Sequence, residues 1–217
     1  MRSIVIVGAG IGGCTTYLFL KKYLSSDISV HIYESYPAPP YLSNLNRSKP
    51  TASLDLFVSE GDSQEATKTT AGSTPNVTTA IGGWLGLSPN GLRVIKSLDH
   101  GIYECVKAIG VEVDVFGAQV RSGRMLGNFK VGGKRYGEGT LLVARAAVHD
   151  AVLKEIKSND VSFNKKVKRV IDGDTTVRIE FEDGGSVDAD LVIGADGVWG
   201  KTREAIPECA RFKPEYE

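Results

Sequence analysis

Cysteine is scarce in this chain: Cys14, Cys105 and Cys209 are the only three in 217 residues, odd in number and far apart. That spacing excludes a disulfide framework and a zinc pattern, and fits isolated thiols in a reducing compartment. Histidine is equally scarce. His31, His100 and His149 are scattered and form no candidate site, so each is taken as structural. There is no net charge, because 26 basic residues balance 26 acidic ones. No global field therefore draws nucleic acid or an anionic membrane to the surface. No stretch is long and apolar enough to span a bilayer. The charged start at Met1 and Arg2 runs into an apolar segment that is short and breaks at glycines, unlike a signal peptide. The expectation is a cytoplasmic protein with no metal, no nucleic-acid partner and no membrane span. No internal repeat is visible.

What the chain does have is an ordinary globular composition, 41% hydrophobic and 24% charged, with length for one large domain or a domain and a half. Residues 3–7 are nearly continuous in β-branched residues and predict a fully buried strand. From Gly12 to Leu24 the spacing of Cys14, Tyr17, Leu18, Leu20 and Leu24 turns helical, and Ile28 to Glu34 alternates as a second strand. This is one βαβ unit. Residues 35–80 are rich in Pro, Ser, Thr and Gly without periodicity, so a flexible insertion is expected at 43–79, with a short strand at Leu54–Val58.

Beyond it, Leu92, Ile95 and Leu98 predict one helix, and residues 102–109 a second that stops at Gly110. Short strands with glycine turns are expected over 111–137, and a helix over Ala144–Lys157 with Val148, Val152 and Ile156 on one face. "KVKRVI" and "VRIEFE" flank the turn "DGDTT", and "DADLVIGADG" predicts a buried strand, Leu191–Ile193, ending in a glycine turn.

Gly8, Gly10 and Gly13 match the pattern G-x-G-x-x-G. Each glycine has its own physical reason: a tight turn, close approach of the backbone to a pyrophosphate, and close packing of helix on strand. The pattern follows a strand and opens a helix, whose free N–H groups and positive dipole end favour phosphate. Glu34 ends the next strand about twenty residues on, where a carboxylate binds an adenosine ribose and repels a 2′-phosphate. A glycine turn that binds nothing is the alternative; order, spacing and acid together favour the dinucleotide.

Four stretches, "VIVGAGIGG" with Glu34, "GLSPNGLRVIKSLDHG", "VARAAVHDAVL" and "DLVIGADGVWGKTR", resemble the FAD-dependent aromatic-ring monooxygenases of the para-hydroxybenzoate hydroxylase and salicylate hydroxylase type, in order and in approximate spacing. The resemblance covers most of the chain outside 43–79. It implies an α/β, Rossmann-like FAD/NAD(P)-binding fold with a βαβ unit and an added β-meander, residues 1–217 forming the FAD-binding domain and 111–140 part of a substrate-side sheet. It further implies that Gly8, Ala9, Gly10, Ile11, Gly12 and Gly13 cradle the FAD pyrophosphate and that Glu34 holds the ribose. Arg145 matches the arginine on the flavin side. Asp196 and Gly197 match a pair near FAD that is linked to NAD(P)H use, Arg203 closes that motif, and Val167 offers backbone contacts to adenine.

In that family NAD(P)H reduces FAD, and the reduced flavin uses O₂ to hydroxylate an aromatic or similar small molecule. The cofactor carries the chemistry, so the lack of a Ser-His-Asp or metal constellation does not argue against an enzyme. No catalytic residue is assigned.

The chain also departs from the pattern. Gly200 stands where a small hydroxylated residue is usual, and Ser35 where an arginine often follows the acid; Arg47 is a substitute for the latter. Trp84, near where a flavin or substrate passes, is taken as a packing residue of the core or the surface. The later Gly-Asp motif that holds the flavin ring is missing: Gly61-Asp62 and Gly173-Asp174 lack its continuation. The substrate domain is therefore expected to be incomplete and the chain to be an N-terminal portion. Two other readings stay open: a non-catalytic remnant binding FAD or ADP, and an FAD oxidase or dehydrogenase of the same fold. Substrate, choice of NADH or NADPH, and oligomeric state are not legible.

Overall fold

The computed structural model describes residues 2–39, 83–130 and 136–210. The insertion expected at 43–79, with its strand at Leu54–Val58 and with Arg47, lies outside the described residues.

The centre is a four-stranded parallel sheet. Its strands are β1 (Arg2–Val7), β2 (Ile28–Tyr33), β8 (Val161–Ser162) and β12 (Leu191–Gly194), in the order β12-β1-β2-β8. β1 is apolar on both faces because both faces are covered. Ile4 and Ile6 look toward α1 (Ile11–Tyr23) and the other helices, in a cluster with Cys14, Tyr17, Val30 and Ile32. Val5 and Val7 look the other way, onto Val167, Ile179, Phe181 and Ala189. Ile6 and Ile32 are fully buried neighbours in the sheet. At about 25 cal/mol per Å², each such side chain contributes roughly 1.5–3 kcal/mol through burial.

The second face is the expected meander: β9 (Val167–Asp172), β10 (Val177–Phe181) and β11 (Ser186–Ala189), all antiparallel. Its outer side carries the cross-strand ion pairs Arg169–Glu180 and Arg178–Asp188, at 2.7 and 2.8 Å. The first face holds α2 (Pro89–Leu98), α3 (His100–Ile109) and α4 (Arg145–Leu153). Pro89 starts α2, where its missing N–H costs nothing. Asp99 ends α2 and caps α3, its carboxylate accepting the Ile102 N–H at 2.9 Å.

Two expectations need correction. The last helix was expected to run to Lys157 but stops at Leu153. There the Ile156 N–H bonds back only three residues, to Leu153, a tighter turn that ends α4 while still burying Ile156. The strand at Leu191 is not fully buried, because β12 is an edge strand and Leu191 is 49% exposed. Of the two places open to Trp84, core or surface, the structure has the surface: it is 70% exposed in β3 (Trp84–Leu87), opposite Ala144.

β3 joins β7 (Thr140–Ala144) and β4 (Val111–Val113) in a small antiparallel sheet. Neither β3 nor β7 is expected from the sequence, since "TLLVA" runs without a break into the helical pattern of α4. β5 (Val115–Gln119) and β6 (Met125–Lys130) form a separate hairpin with Phe116 opposite Phe129. Among the described residues, no helix is long and apolar enough to cross a membrane.

Candidate functional site

The carboxyl ends of β1, β2 and β12 converge at one place, as expected for ligand-binding parallel sheets. After β1 the chain turns at Gly8, whose φ of +102° suits glycine alone. A Cβ on Gly8 would sit 2.5 Å from the Ala195 carbonyl oxygen, and one on Gly13 only 1.9 Å from that of Gly8. These two glycines let α1 and β12 close on the turn. Gly10 and Gly12 differ, because a Cβ on either meets nothing within 4 Å. These glycines leave open space rather than relieve a clash, and at Gly10 that space faces the cleft described below. No acidic residue occupies the first turn of α1, and no side chain caps it. Its positive end is left for an anion.

Glu34 stands at the end of β2 and reaches across to this turn. One carboxylate oxygen accepts the Ala9 N–H at 2.6 Å; the other accepts the Tyr36 N–H at 2.9 Å and the Ser35 hydroxyl at 3.0 Å. Ser35, where the resemblance prefers arginine, thus orients the acid. A carboxylate has about four acceptor positions, so capacity remains for further donors. Beneath the turn, Cys14 donates its thiol hydrogen to the Ala9 carbonyl at 3.2 Å. Burial, helped by the charge of Glu34, pushes the Cys14 thiol up to about 12, so it keeps that hydrogen at neutral pH.

Around this turn lies a cleft of about 450 Å³. It is lined by Gly8, Ala9, Gly10, Glu34, Arg145, Val167, Asp196 and Gly197, drawn from five separate parts of the chain. Arg145 opens α4 and is exposed, and its guanidinium makes no ion pair among the described residues. The lining lysines, by contrast, are paired: Lys165 with Asp183, Lys166 with Glu182 and Lys201 with Glu204. Ile11, Gly12 and Gly13 do not line the cleft. Arg203 does not either; it lines a second cavity of about 370 Å³ beside β12, which Asp196 and Gly197 also reach.

The Gly200 departure has a local explanation. A Cβ at Gly200 would overlap the Asp196 carboxylate, 2.1 Å from its oxygen. The carboxylate folds over Gly200 and is held there by Thr202, through its N–H at 3.0 Å and its hydroxyl. The hydroxyl expected at 200 is thus supplied by a buried threonine two residues later. Thr202 and His149 were missed as site residues. His149, taken as structural, is buried and also lines the cleft, its Nε2 lying 2.6 Å from the Ala9 carbonyl. The available signal was its position four residues after Arg145, on the same helix face.

No protein-family model matches the chain. It is 33% identical over 143 residues to 3-amino-4-hydroxybenzoate 2-monooxygenase of Streptomyces cremeus, covering 63% of this chain and 34% of that protein. To 6-hydroxynicotinate 3-monooxygenase of Pseudomonas fluorescens it is 23% identical, over 96% of this chain and 44% of that one. The chain thus spans well under half the length of these curated relatives. A crystal structure of Klebsiella pneumoniae HpxO with FAD and uric acid superposes with a TM-score of 0.66 at 22% identity, over 99% of this chain and 43% of that one. The 2,6-dihydroxypyridine-3-hydroxylase of Arthrobacter nicotinovorans gives 0.64 at 18% identity, over 99% and 41%. The resemblance read from the four motifs therefore holds: the curated relatives of this chain are FAD-dependent aromatic monooxygenases, and its fold is that of solved proteins of this kind.

Proposed function

We propose that the cleft binds FAD, and that the whole protein is an NAD(P)H-dependent flavoprotein monooxygenase hydroxylating an aromatic or related small organic molecule with O₂. One observation carries the reading: residues distant in sequence, Gly8 to Gly10, Glu34, Arg145, Val167, Asp196 and Gly197, line a single cleft. The open space at Gly10 and the oriented carboxylate of Glu34 fit the pyrophosphate and ribose of an adenine dinucleotide.

In this reading residues 1–217 belong to one FAD-binding domain, and the region 111–140 contributes to its substrate side. The amides of the Gly8–Gly13 turn and the end of α1 hold the pyrophosphate, with Ile11, Gly12 and Gly13 shaping it from behind. Glu34 accepts from the ribose hydroxyls. Val167 lies beside the adenine. Arg145, exposed in the cleft wall, supplies positive charge to phosphate or ribityl oxygens. Asp196 and Gly197 close the cleft from the β12 side, and Arg203 backs that turn from the second cavity. Bound FAD supplies the transfer of reducing equivalents to O₂; the chain's own residues bind, orient and shield it.

The test is anaerobic addition of NADH or NADPH to the FAD-loaded protein, with and without small hydroxylated aromatic acids. Bleaching of the oxidised flavin spectrum, faster with one such acid, is expected. Bound flavin that neither nicotinamide reduces would overturn the monooxygenase reading and leave a cofactor-binding protein.

A further inference from the structure

The Ala9 carbonyl is held from behind. His149 Nε2 lies 2.6 Å from it and Cys14 Sγ 3.2 Å. A carbonyl oxygen only accepts, so Nε2 carries the hydrogen; in the neutral ring this leaves Nδ1 as a bare acceptor. That Nδ1 is buried and has no hydrogen-bond partner. The Asp150 carboxylate stands 4.0 Å away, beyond hydrogen-bond length. The residue as a whole is only 6% exposed. A buried polar nitrogen without a partner destabilises the folded state, whereas an aliphatic side chain of similar size would fill the same place without that cost. Packing alone does not explain an imidazole here.

The peptide group does. A trans peptide is planar, and its C=O and N–H point in opposite directions. Drawing the Ala9 oxygen toward α4 turns the Gly10 N–H away from α4. The preceding N–H, that of Ala9, is fixed by Glu34 at 2.6 Å. The Ala9 unit is thus pinned at both ends, by a carboxylate from β2 and an imidazole from α4. Gly10 lines the cleft, no heavy atom lies within 4 Å of where its Cβ would be, and its N–H donates to no described residue.

We propose that His149 is a positioning residue: by holding the Ala9 carbonyl it aims the Gly10 amide at the phosphates of the bound dinucleotide. This rests on the reading of the cleft as a dinucleotide site. The imidazole keeps an unpaired nitrogen in the core for the sake of a donor direction at the cleft. Cys14, a weaker donor at longer distance, assists.

The experiment compares His149→Leu and His149→Gln with the parent protein. Leucine removes the donor, and glutamine restores an N–H near the Nε2 position. Thermal unfolding, hydrogen exchange of the Ala9 amide without ligand, and calorimetric affinity for FAD and for ADP are measured on each. The leucine variant is expected to melt no lower than the parent, to lose Ala9 protection, and to bind both ligands about tenfold more weakly, the loss of one hydrogen bond. The glutamine variant is expected to regain protection and affinity. Unchanged protection or unchanged affinity in the leucine variant overturns the proposal. Equal losses in both variants with a lowered melting point overturn it too, in favour of simple packing. If the parent binds neither FAD nor ADP, the dinucleotide reading fails, and Ala9 protection still decides whether His149 sets the turn.

Discussion

The strand β1 and the hairpin β5–β6 are both rich in apolar residues, and they meet opposite fates. In β1, Val5, Ile6 and Val7 are buried, because helices cover one face of the sheet and the meander covers the other. In the hairpin, Phe116, Leu126 and Phe129 are exposed by 41%, 65% and 60%. The difference lies in what the rest of the chain brings to each. β1 gathers its cover from residues up to nearly 190 positions away, and it is this gathering that builds the cleft at its end. The hairpin gathers no such cover among the described residues.

The largest effect that sharpens this contrast is expected at Ile6. Ile6→Ala should cost about 2–5 kcal/mol in chemical unfolding, because the vacated space cannot be filled. Leu126→Ala should change stability by less than about 0.5 kcal/mol; a similar loss at both positions would break the contrast. Next comes Gly13→Ala. Its Cβ would meet the Gly8 oxygen at 1.9 Å, so α1 must shift, at roughly 1–3 kcal/mol. Gly12→Ala, with nothing in its way, should leave stability unchanged or raise it by up to about 1 kcal/mol.

Glu34→Arg should keep the protein folded, since the residue ends its strand, while weakening FAD binding by at least about tenfold in fluorescence titration. Unchanged affinity would remove Glu34 from the site. Thr202→Val, which removes the hydroxyl bond to the Asp196 carboxylate and keeps the backbone N–H bond, should cost about 1 kcal/mol in thermal unfolding. The smallest effect on stability belongs to the hairpin: Leu126→Ser with Phe129→Ser should leave the melting point alone but reduce self-association in analytical ultracentrifugation. A parent protein that is strictly monomeric would show that the exposed face is tolerated.

How much of this could be read from the sequence follows the same division. The βαβ unit, the two middle helices and the meander were legible, because each is set by local periodicity and by glycine turns. The small sheet β3-β7-β4 was not, since its strands meet only through long-range pairing and Thr140–Ala144 blends into a helical pattern. The cleft was legible where a motif demands a residue type, as at Gly8, Gly10 and Glu34. Thr202 and His149 escaped because their roles come from what they touch: Asp196 across a turn, and Ala9 from a helix 140 residues later. A hydroxyl displaced by two positions has no signature in a linear pattern.

The turn after β1 is proposed above as a cradle for an adenine dinucleotide. Calorimetric titration of FAD into the purified 217-residue protein tests it most directly. Saturable binding at one site per chain, with ADP competing for it, is expected. Absence of saturable binding by a protein that melts cooperatively would contradict it.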